Sequence, residues 1–393
     1  MLNFEFNLPT KIVFGKDQIE SLNQLLKTYG AQRLLLVYGQ SAIKKIGLYD
    51  QVINLLKKTD VAVIELSGIR PNPPISQVLE GRKLCLEHDV DFILAVGGGS
   101  VIDAAKAIAF AVHMAEDDVW PVITRRKTAE KALPIGTVLT LAATGTETNG
   151  NTVISNDDTK EKHSTAYPFL RPQFSIIDPT HMKQVDHHHS IAGCIDIIMH
   201  VLEQYFDNET RNETSAYLSV GLIKSVIENT ERLLSGSNDY QTRANIAWAS
   251  TIAWSHLLQQ GKTGDWATHR LSYPITFDYG ITHGYALVMV FTAWMQKALE
   301  LNPESMRPKL QFLAEQIWPG KTYDDVPCLI QSLFASWGAP TSFKQAGLKP
   351  NDSMLKKLAK TTVSLGPVGK VITIDETLAH AIFQAALLNC KGN

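Results

Sequence analysis

Cysteine is scarce: Cys85, Cys194, Cys328 and Cys390 are the only four in 393 residues, and no two of them form a CxxC pair. That spacing argues against a disulfide framework and against a thiolate zinc site, and it suits a reducing compartment. An excess of one charge is lacking too. Lysine and arginine total 37 against 39 acidic residues, a formal net charge of -2 with no long run of either sign. Nucleic acid and anionic membrane are therefore not expected as partners. The most apolar stretch, 93–115, is interrupted by Asp103, Lys106 and a glycine cluster, so it makes a poor membrane span. The first six residues lack the basic stretch and apolar run of a signal peptide. The expected location is the cytoplasm.

What the chain does have is ordinary globular material, with 45% hydrophobic and 19% charged residues. At roughly 150 residues per domain, the length suggests two or three domains. Up to about residue 178, apolar runs of strand length (33–38, 61–66, 92–96, 135–139 and 174–177) alternate with helical patterns at 49–58 and 75–87. This alternation is the signature of βαβ units and a mainly parallel sheet. Beyond Asp178-Pro179 apolar residues recur every three or four positions, which predicts helices at 189–206, 215–234, 242–259, 286–299, 306–317, 326–337 and 376–388. The expected division is an α/β domain over 1–184 and an all-α domain over 185–393.

Val96-Gly97-Gly98-Gly99-Ser100 follows a predicted strand and opens a predicted helix at 101–111. Backbone without Cβ atoms lets a diphosphate approach closely, and a helix N-terminus offers it free N–H groups and a positive dipole end. The spacing is not GxGxxG, because Ile102 stands where the third glycine would be. A plain strand-to-helix turn therefore remains an alternative. A second polar loop, 140–149, also follows a predicted strand, and in an open α/β sheet both loops belong at the carboxyl end where ligands sit. Read alone, its hydroxyls are equally compatible with simple capping.

Among twelve histidines, the run His187-His188-His189 reads as solvated, since consecutive helical side chains point in different directions. Asp196 and His200 are four apart on a predicted amphipathic helix, so they share a face one turn apart. A carboxylate and an imidazole so placed can bind one divalent ion, or can form an ordinary helix pair. His269 and His283 complete a plausible set, and Pro274 and Gly280 between them should break any continuous helix. One carboxylate with three imidazoles suits Fe(II) or Zn(II) and argues against Mg(II) or Ca(II).

With these residues in hand, the sequence resembles the iron-containing, group III metal-dependent alcohol dehydrogenases over nearly the whole chain. It is most similar to the butanol dehydrogenase and NADPH-dependent aldehyde reductase branch. The ordered matches are Leu8-Pro9-Thr10-Lys11-Ile12-Val13-Phe14-Gly15-Lys16, Gly68-Ile69-Arg70-Pro71-Asn72-Pro73, Ala95-Val96-Gly97-Gly98-Gly99-Ser100-Val101-Ile102-Asp103 and Ala143-Thr144-Gly145-Thr146-Glu147. The resemblance implies a Rossmann-like dinucleotide-binding domain followed by a helical domain, the dehydroquinate synthase-like architecture. It implies hydride transfer between NAD(P)(H) and a primary alcohol or aldehyde such as butanol or butanal, and a homodimer. It places the metal ligands on Asp196, His200, His269 and His283, the diphosphate loop on Gly97, Gly98, Gly99 and Ser100, and coenzyme contacts on Asn72, Asp103, Thr140, Thr144 and Lys162.

Two positions depart from the family pattern. Many members carry a histidine, a candidate proton relay, four residues after the third ligand, whereas this chain has Tyr273. Tyr279 stands where relatives have His or Tyr, so either tyrosine is a candidate relay. After the first Rossmann strand, the coenzyme loop Gly39-Gln40-Ser41 lacks the acid by which NAD-preferring relatives repel a 2′-phosphate, and Lys44 and Lys45 lie nearby. The reading favours NADP over NAD on that ground. Two other functions share parts of this pattern: a dehydroquinate synthase-like lyase, whose basic substrate-phosphate pocket is not found here, and a non-catalytic metal- or nucleotide-binding protein.

Overall fold

The computed structural model describes residues 1–208 and 211–388; Cys390 lies outside the described residues. Eight strands form: β1 (Lys11–Phe14), β2 (Arg33–Gly39), β3 (Ala62–Ile69), β4 (Phe92–Gly97), β5 (Ile135–Leu139), β6 (Asn151–Asn156), β7 (Glu161–Ala166) and β8 (Phe174–Ile177). The helices of the first half are α1 (Leu22–Thr28), α2 (Ala42–Lys45), α3 (Leu48–Leu56), α4 (Ile75–Glu87), α5 (Gly99–Ala111) and α6 (Glu116–Ile123). Those that follow are α7 (His187–Tyr205), α8 (Glu213–Leu234), α9 (Tyr240–Ala253), α10 (Ala267–Tyr279), α11 (His283–Leu301), α12 (Pro303–Ile317), α13 (Val326–Ser336), α14 (Asp352–Thr362) and α15 (Glu376–Ala385).

The chain divides into two compact units. One comprises Asn7–Asp186 with Ser237–Ser255; the other comprises Met1–Phe6, His187–Gly236 and the described residues from His256 onward. Helix α9 belongs to the first of these.

In the α/β unit six parallel strands run in the order β1-β8-β5-β4-β2-β3. Helices cover such a sheet on both faces, so its central strands are largely apolar, and every residue of β4 and β5 is buried, while the edge strands β1 and β3 are only partly so. The strand order reverses between β2 and β4: β2 leads outward to β3, and the chain then crosses back to β4. That is the topological switch point, and the turns after β2 and β4 flank it. All five predicted strands, which become β2, β3, β4, β5 and β8, and the helix Ile75–Glu87 form where the periodicity puts them. The short strand β1 and the polar antiparallel hairpin β6-β7 carry too little apolar pattern to be read from sequence.

The helical unit is built around α7 and α11, whose middle turns are buried all round. Phe206, Phe291 and Trp294 stack there, with ring centroids 5.5 to 6.3 Å apart. Truncating a fully buried aromatic such as Trp294 costs about 3–5 kcal/mol. Two helices differ from expectation. Pro274 does not break the chain before Gly280 but sits inside α10, which ends at Gly280. An interior proline costs about 3 kcal/mol, offset here because the proline itself, Leu271, Tyr273 and Ile275 are all buried. Helix α14 was hidden by its mainly polar composition.

Cys85 and Cys194 are free and buried. Cys328 is disulfide-bonded, which departs from the expectation of thiols throughout. No described helix is long and apolar enough to cross a membrane.

Candidate functional site

The α/β unit offers a cradle at its switch point. Gly98 caps α5 without a side-chain hydrogen bond, so the first-turn amides at Gly99 and Ser100 are available to an anion. A Cβ on Gly99 would lie 2.7 Å from Thr144 Oγ1, so the absent side chain lets the 140–149 loop close onto the helix. Thr140 N–H donates to Gly97 carbonyl at 3.0 Å, joining the same two loops. The glycine therefore has a packing reason in addition to any ligand. Gly145 turns the loop in the left-handed region (φ 59), where a Cβ would also strike Trp254 and the Ser250 carbonyl. Trp254 is accordingly a packing residue of this loop.

Asp103 and Lys106, one turn apart on α5, bind that loop. Asp103 accepts from the Thr146 hydroxyl at 2.7 Å and the Val153 amide at 3.2 Å. Lys106 is fully buried, and its ammonium donates to Thr146 O (2.6 Å), Thr146 Oγ1 (2.8 Å), Asn149 O (2.7 Å) and Asn151 O (2.9 Å). Burial pulls the lysine down while Asp103 and Glu147 hold it up. Since the Thr146 hydroxyl proton goes to Asp103, these are all acceptors, and the site is built for the charged amine. Asn72, at φ 51, accepts from Lys162 Nζ at 2.8 Å, which places two more of the expected coenzyme residues side by side. Gln40 and Ser41 are exposed beside half-buried Gly39. Lys44 is drawn elsewhere: its ammonium lies 4.8 Å from the Tyr49 ring centre and 5.5 Å from that of Tyr38. Both tyrosine hydroxyls donate to Glu65.

The helical unit gathers the second set. Asp196 and His200 lie on one face of α7, His269 in the first turn of α10, and His283 at the start of α11. Asp196, His200 and His269 each offer a ligand atom within 4.8 Å of the others. Three imidazole nitrogens surround one oxygen, Asp196 Oδ1: His200 Nδ1 at 3.7 Å, His283 Nε2 at 3.8 Å and His269 Nε2 at 3.9 Å. These separations are too long for hydrogen bonds. They are close to what bonds of about 2.0–2.2 Å to one shared ion leave between its ligands. Burial pulls the His200 imidazole down to about 4, which leaves it neutral at pH 7, the form that binds metal. The residues present thus fit a divalent ion of the Fe(II) or Zn(II) kind. Tyr273 is buried with its ring centroid 6.1 Å from that of His283, whereas Tyr279 packs edge-on against Phe343.

Two carboxylates beside this cluster escaped the sequence reading. Glu203, buried on α7, accepts from the His269 amide at 2.9 Å, from His269 Nδ1 at 3.0 Å and from the Thr268 hydroxyl. Asp265 accepts from the amides of Lys370 (2.8 Å), Val371 (2.7 Å) and Ala267 (3.1 Å). Burial pushes both carboxyl groups up. The signal for Glu203 was its spacing: Asp196, His200 and Glu203 form a continuous i, i+4, i+7 stripe. Asp265 gave no such signal, because two of its three amide partners, Lys370 and Val371, lie about a hundred residues away.

Comparison with known proteins adds three findings. The family model described as iron-containing alcohol dehydrogenase matches residues 9–179, and that for the C-terminal region of Fe-containing alcohol dehydrogenases matches 190–387. A probable NADH-dependent butanol dehydrogenase of Bacillus subtilis is 39% identical, covering 98% of this chain and all of that one; the NADPH-dependent aldehyde reductase YqhD of Escherichia coli is 33% identical with the same coverage. The crystal structure of NADH-dependent butanol dehydrogenase A from Thermotoga maritima superposes with a TM-score of 0.93 at 36% identity, covering 98% of this chain and 99% of that one.

Proposed function

The chain belongs to the iron-containing alcohol dehydrogenase family and is an NAD(P)-dependent, metal-dependent alcohol dehydrogenase or aldehyde reductase, and within that activity we propose the residues that carry it. Asp196, His200, His269 and His283 hold the divalent ion, Fe(II) or Zn(II). The observation that carries this assignment is the convergence of three imidazole nitrogens on Asp196 Oδ1 at 3.7 to 3.9 Å. When bound, the ion supplies Lewis acidity that stabilises negative charge on the substrate oxygen, and the coenzyme supplies or takes the hydride.

Gly97, Gly98, Gly99 and Ser100 hold the coenzyme diphosphate, with Gly39, Gln40 and Ser41 at the adenosine end. Asn72, Asp103, Thr140, Thr144 and Lys162 complete the cradle. Of these, Asp103 and Thr144 also lock the loop to α5, so their first effect is to fix its shape. Either coenzyme is compatible with the loop after β2, which holds no acid. The lysine that the sequence offers to a 2′-phosphate, Lys44, is engaged with Tyr38 and Tyr49, which leaves Lys45 and Ser41 for that role.

Tyr273 moves the substrate proton. Its ring lies against His283, while Tyr279 is turned to Phe343, and this contrast supports the first over the second. The substrates are small primary alcohols and aldehydes of the butanol and butanal class; butanol is the compound for which the Bacillus and Thermotoga relatives are named. The working form is a cytoplasmic homodimer; Leu2, Phe4 and Phe6, alternate residues, are exposed by 43%, 55% and 40%, an apolar edge suited to a second copy.

The test is anaerobic loading of the metal-free protein with Fe(II) or Zn(II), followed by absorbance of NADH or NADPH on adding butanal. Steady metal-dependent loss of the reduced coenzyme is expected. No turnover of C2 to C6 aldehydes with either coenzyme at stoichiometric metal would overturn the reading.

A further inference from the structure

We propose that Glu203 is a positioning residue for the metal centre, holding His269 by Nδ1 so that Nε2 is the nitrogen presented to the ion. The inference rests on the ligand set proposed above.

Glu203 lies seven residues beyond Asp196 and three beyond His200 on α7, two turns along the same face. Its side chain is buried, and one oxygen, Oε1, accepts three hydrogen bonds: from the His269 amide, the Thr268 hydroxyl and His269 Nδ1. The amide and hydroxyl are donors to this oxygen, so the third contact is Nδ1–H donating as well. The neutral imidazole then carries its lone pair on Nε2, the nitrogen 3.9 Å from Asp196 Oδ1.

The same carboxylate acts on the helix that carries the ligand. The residue preceding α10, Trp266, makes no side-chain cap hydrogen bond and stands in the left-handed region at φ 65. Glu203 reaches across from α7 and accepts a first-turn amide instead, bringing negative charge to the positive end of α10. One side chain therefore fixes both the rotation of the imidazole and the start of its helix. Outer carboxylates that orient a metal-binding histidine raise its basicity, and losing one typically lowers metal affinity 10- to 100-fold.

Glu203→Gln and Glu203→Ala separate charge from geometry, because a glutamine oxygen can take the place of Oε1 while the charge is lost. Two measurements on the metal-free protein read the effect. Long-range proton–nitrogen correlation of nitrogen-15 histidine reports the His269 tautomer, and chelator competition with Zn(II) or Co(II) reports affinity. The expected result is an Nδ1–H tautomer in the parent and in Glu203→Gln, a mixed one in Glu203→Ala, with affinity weakened about 10-fold in the first variant and up to about 100-fold in the second. Parent-like tautomer and affinity in both variants, whatever their melting temperatures, would overturn the proposal. His269→Ala is the control for the ligand set. If it keeps parent affinity, the set itself is wrong; if it loses the ion while the Glu203 variants keep it, only the role of Glu203 fails.

Discussion

Asp196 Oδ1 and His283 Nε2 stand 3.8 Å apart, although one belongs to the third turn of α7 and the other to the first residue of α11. Helices α7 and α11 pack directly against each other, so this contact is a product of the fold and not of local sequence. Replacing His283 or His269 by alanine should remove one of the four proposed ligands while the helical core around Phe291 and Trp294 stays intact. Metal content by elemental analysis should fall below about 0.1 per chain, and kcat should drop at least about 1,000-fold, since Lewis-acid stabilisation is worth several kcal/mol. Far-ultraviolet circular dichroism should match that of the metal-free parent.

Lys106→Met tests the cradle. The substitution leaves the carbonyls of Thr146, Asn149 and Asn151 without the ammonium they share. Each buried acceptor so abandoned costs about 1–3 kcal/mol, and loss of a buried charge partner also leaves Asp103 less compensated. The unfolding free energy should fall by roughly 3–5 kcal/mol, with NADH or NADPH bound about 10-fold more weakly by coenzyme fluorescence. A variant as stable as the parent would show that the lysine is not what holds the loop.

How much of this was legible beforehand follows the range of the interactions. The parallel strands announced themselves because both faces of the sheet are covered, so they read as unbroken apolar runs such as Phe92-Ile93-Leu94-Ala95-Val96. Asp196 and His200 were legible from one helical turn. The hairpin β6-β7 was not, because nine of its twelve strand residues are polar and the burial of β6 comes from packing on α5, which no local pattern encodes. Lys106 read as an interruption of an apolar stretch; its five nearby oxygens, supplied by residues 146–151, gave no local sign. Of the two breakers expected between His269 and His283, Gly280 ends α10 as expected, whereas the local breaking tendency of Pro274 was overridden by burial along its helix.

Tyr273→Phe and Tyr279→Phe should behave differently. Tyr273 lies against His283, so removal of its hydroxyl should lower kcat about 100-fold or more with metal content unchanged, in the range of a lost proton-transfer group. Tyr279, packed on Phe343, should tolerate the change within about threefold of the parent. Equal effects of the two substitutions on kcat would remove the distinction between them.

Asp239 makes a prediction about acid. It precedes α9 and accepts from the Thr242 amide at 2.8 Å and the Ser237 hydroxyl at 2.6 Å, and these bonds hold its carboxyl down at about 2, below the ordinary 3.8. Because the folded pKa is the lower one, the unfolded chain binds the extra proton between those values. The stabilisation is therefore complete above about pH 4 and is lost as pH falls toward 2. Asp239→Asn keeps a side-chain acceptor for the helix amide but has nothing to titrate. Its melting temperature should lie at or slightly below the parent's at pH 7, and the gap should narrow as pH falls from 4 to 2. A gap that stays constant over that range would mean that the carboxylate is not depressed, and that Asp239 contributes to α9 through its hydrogen bonds alone.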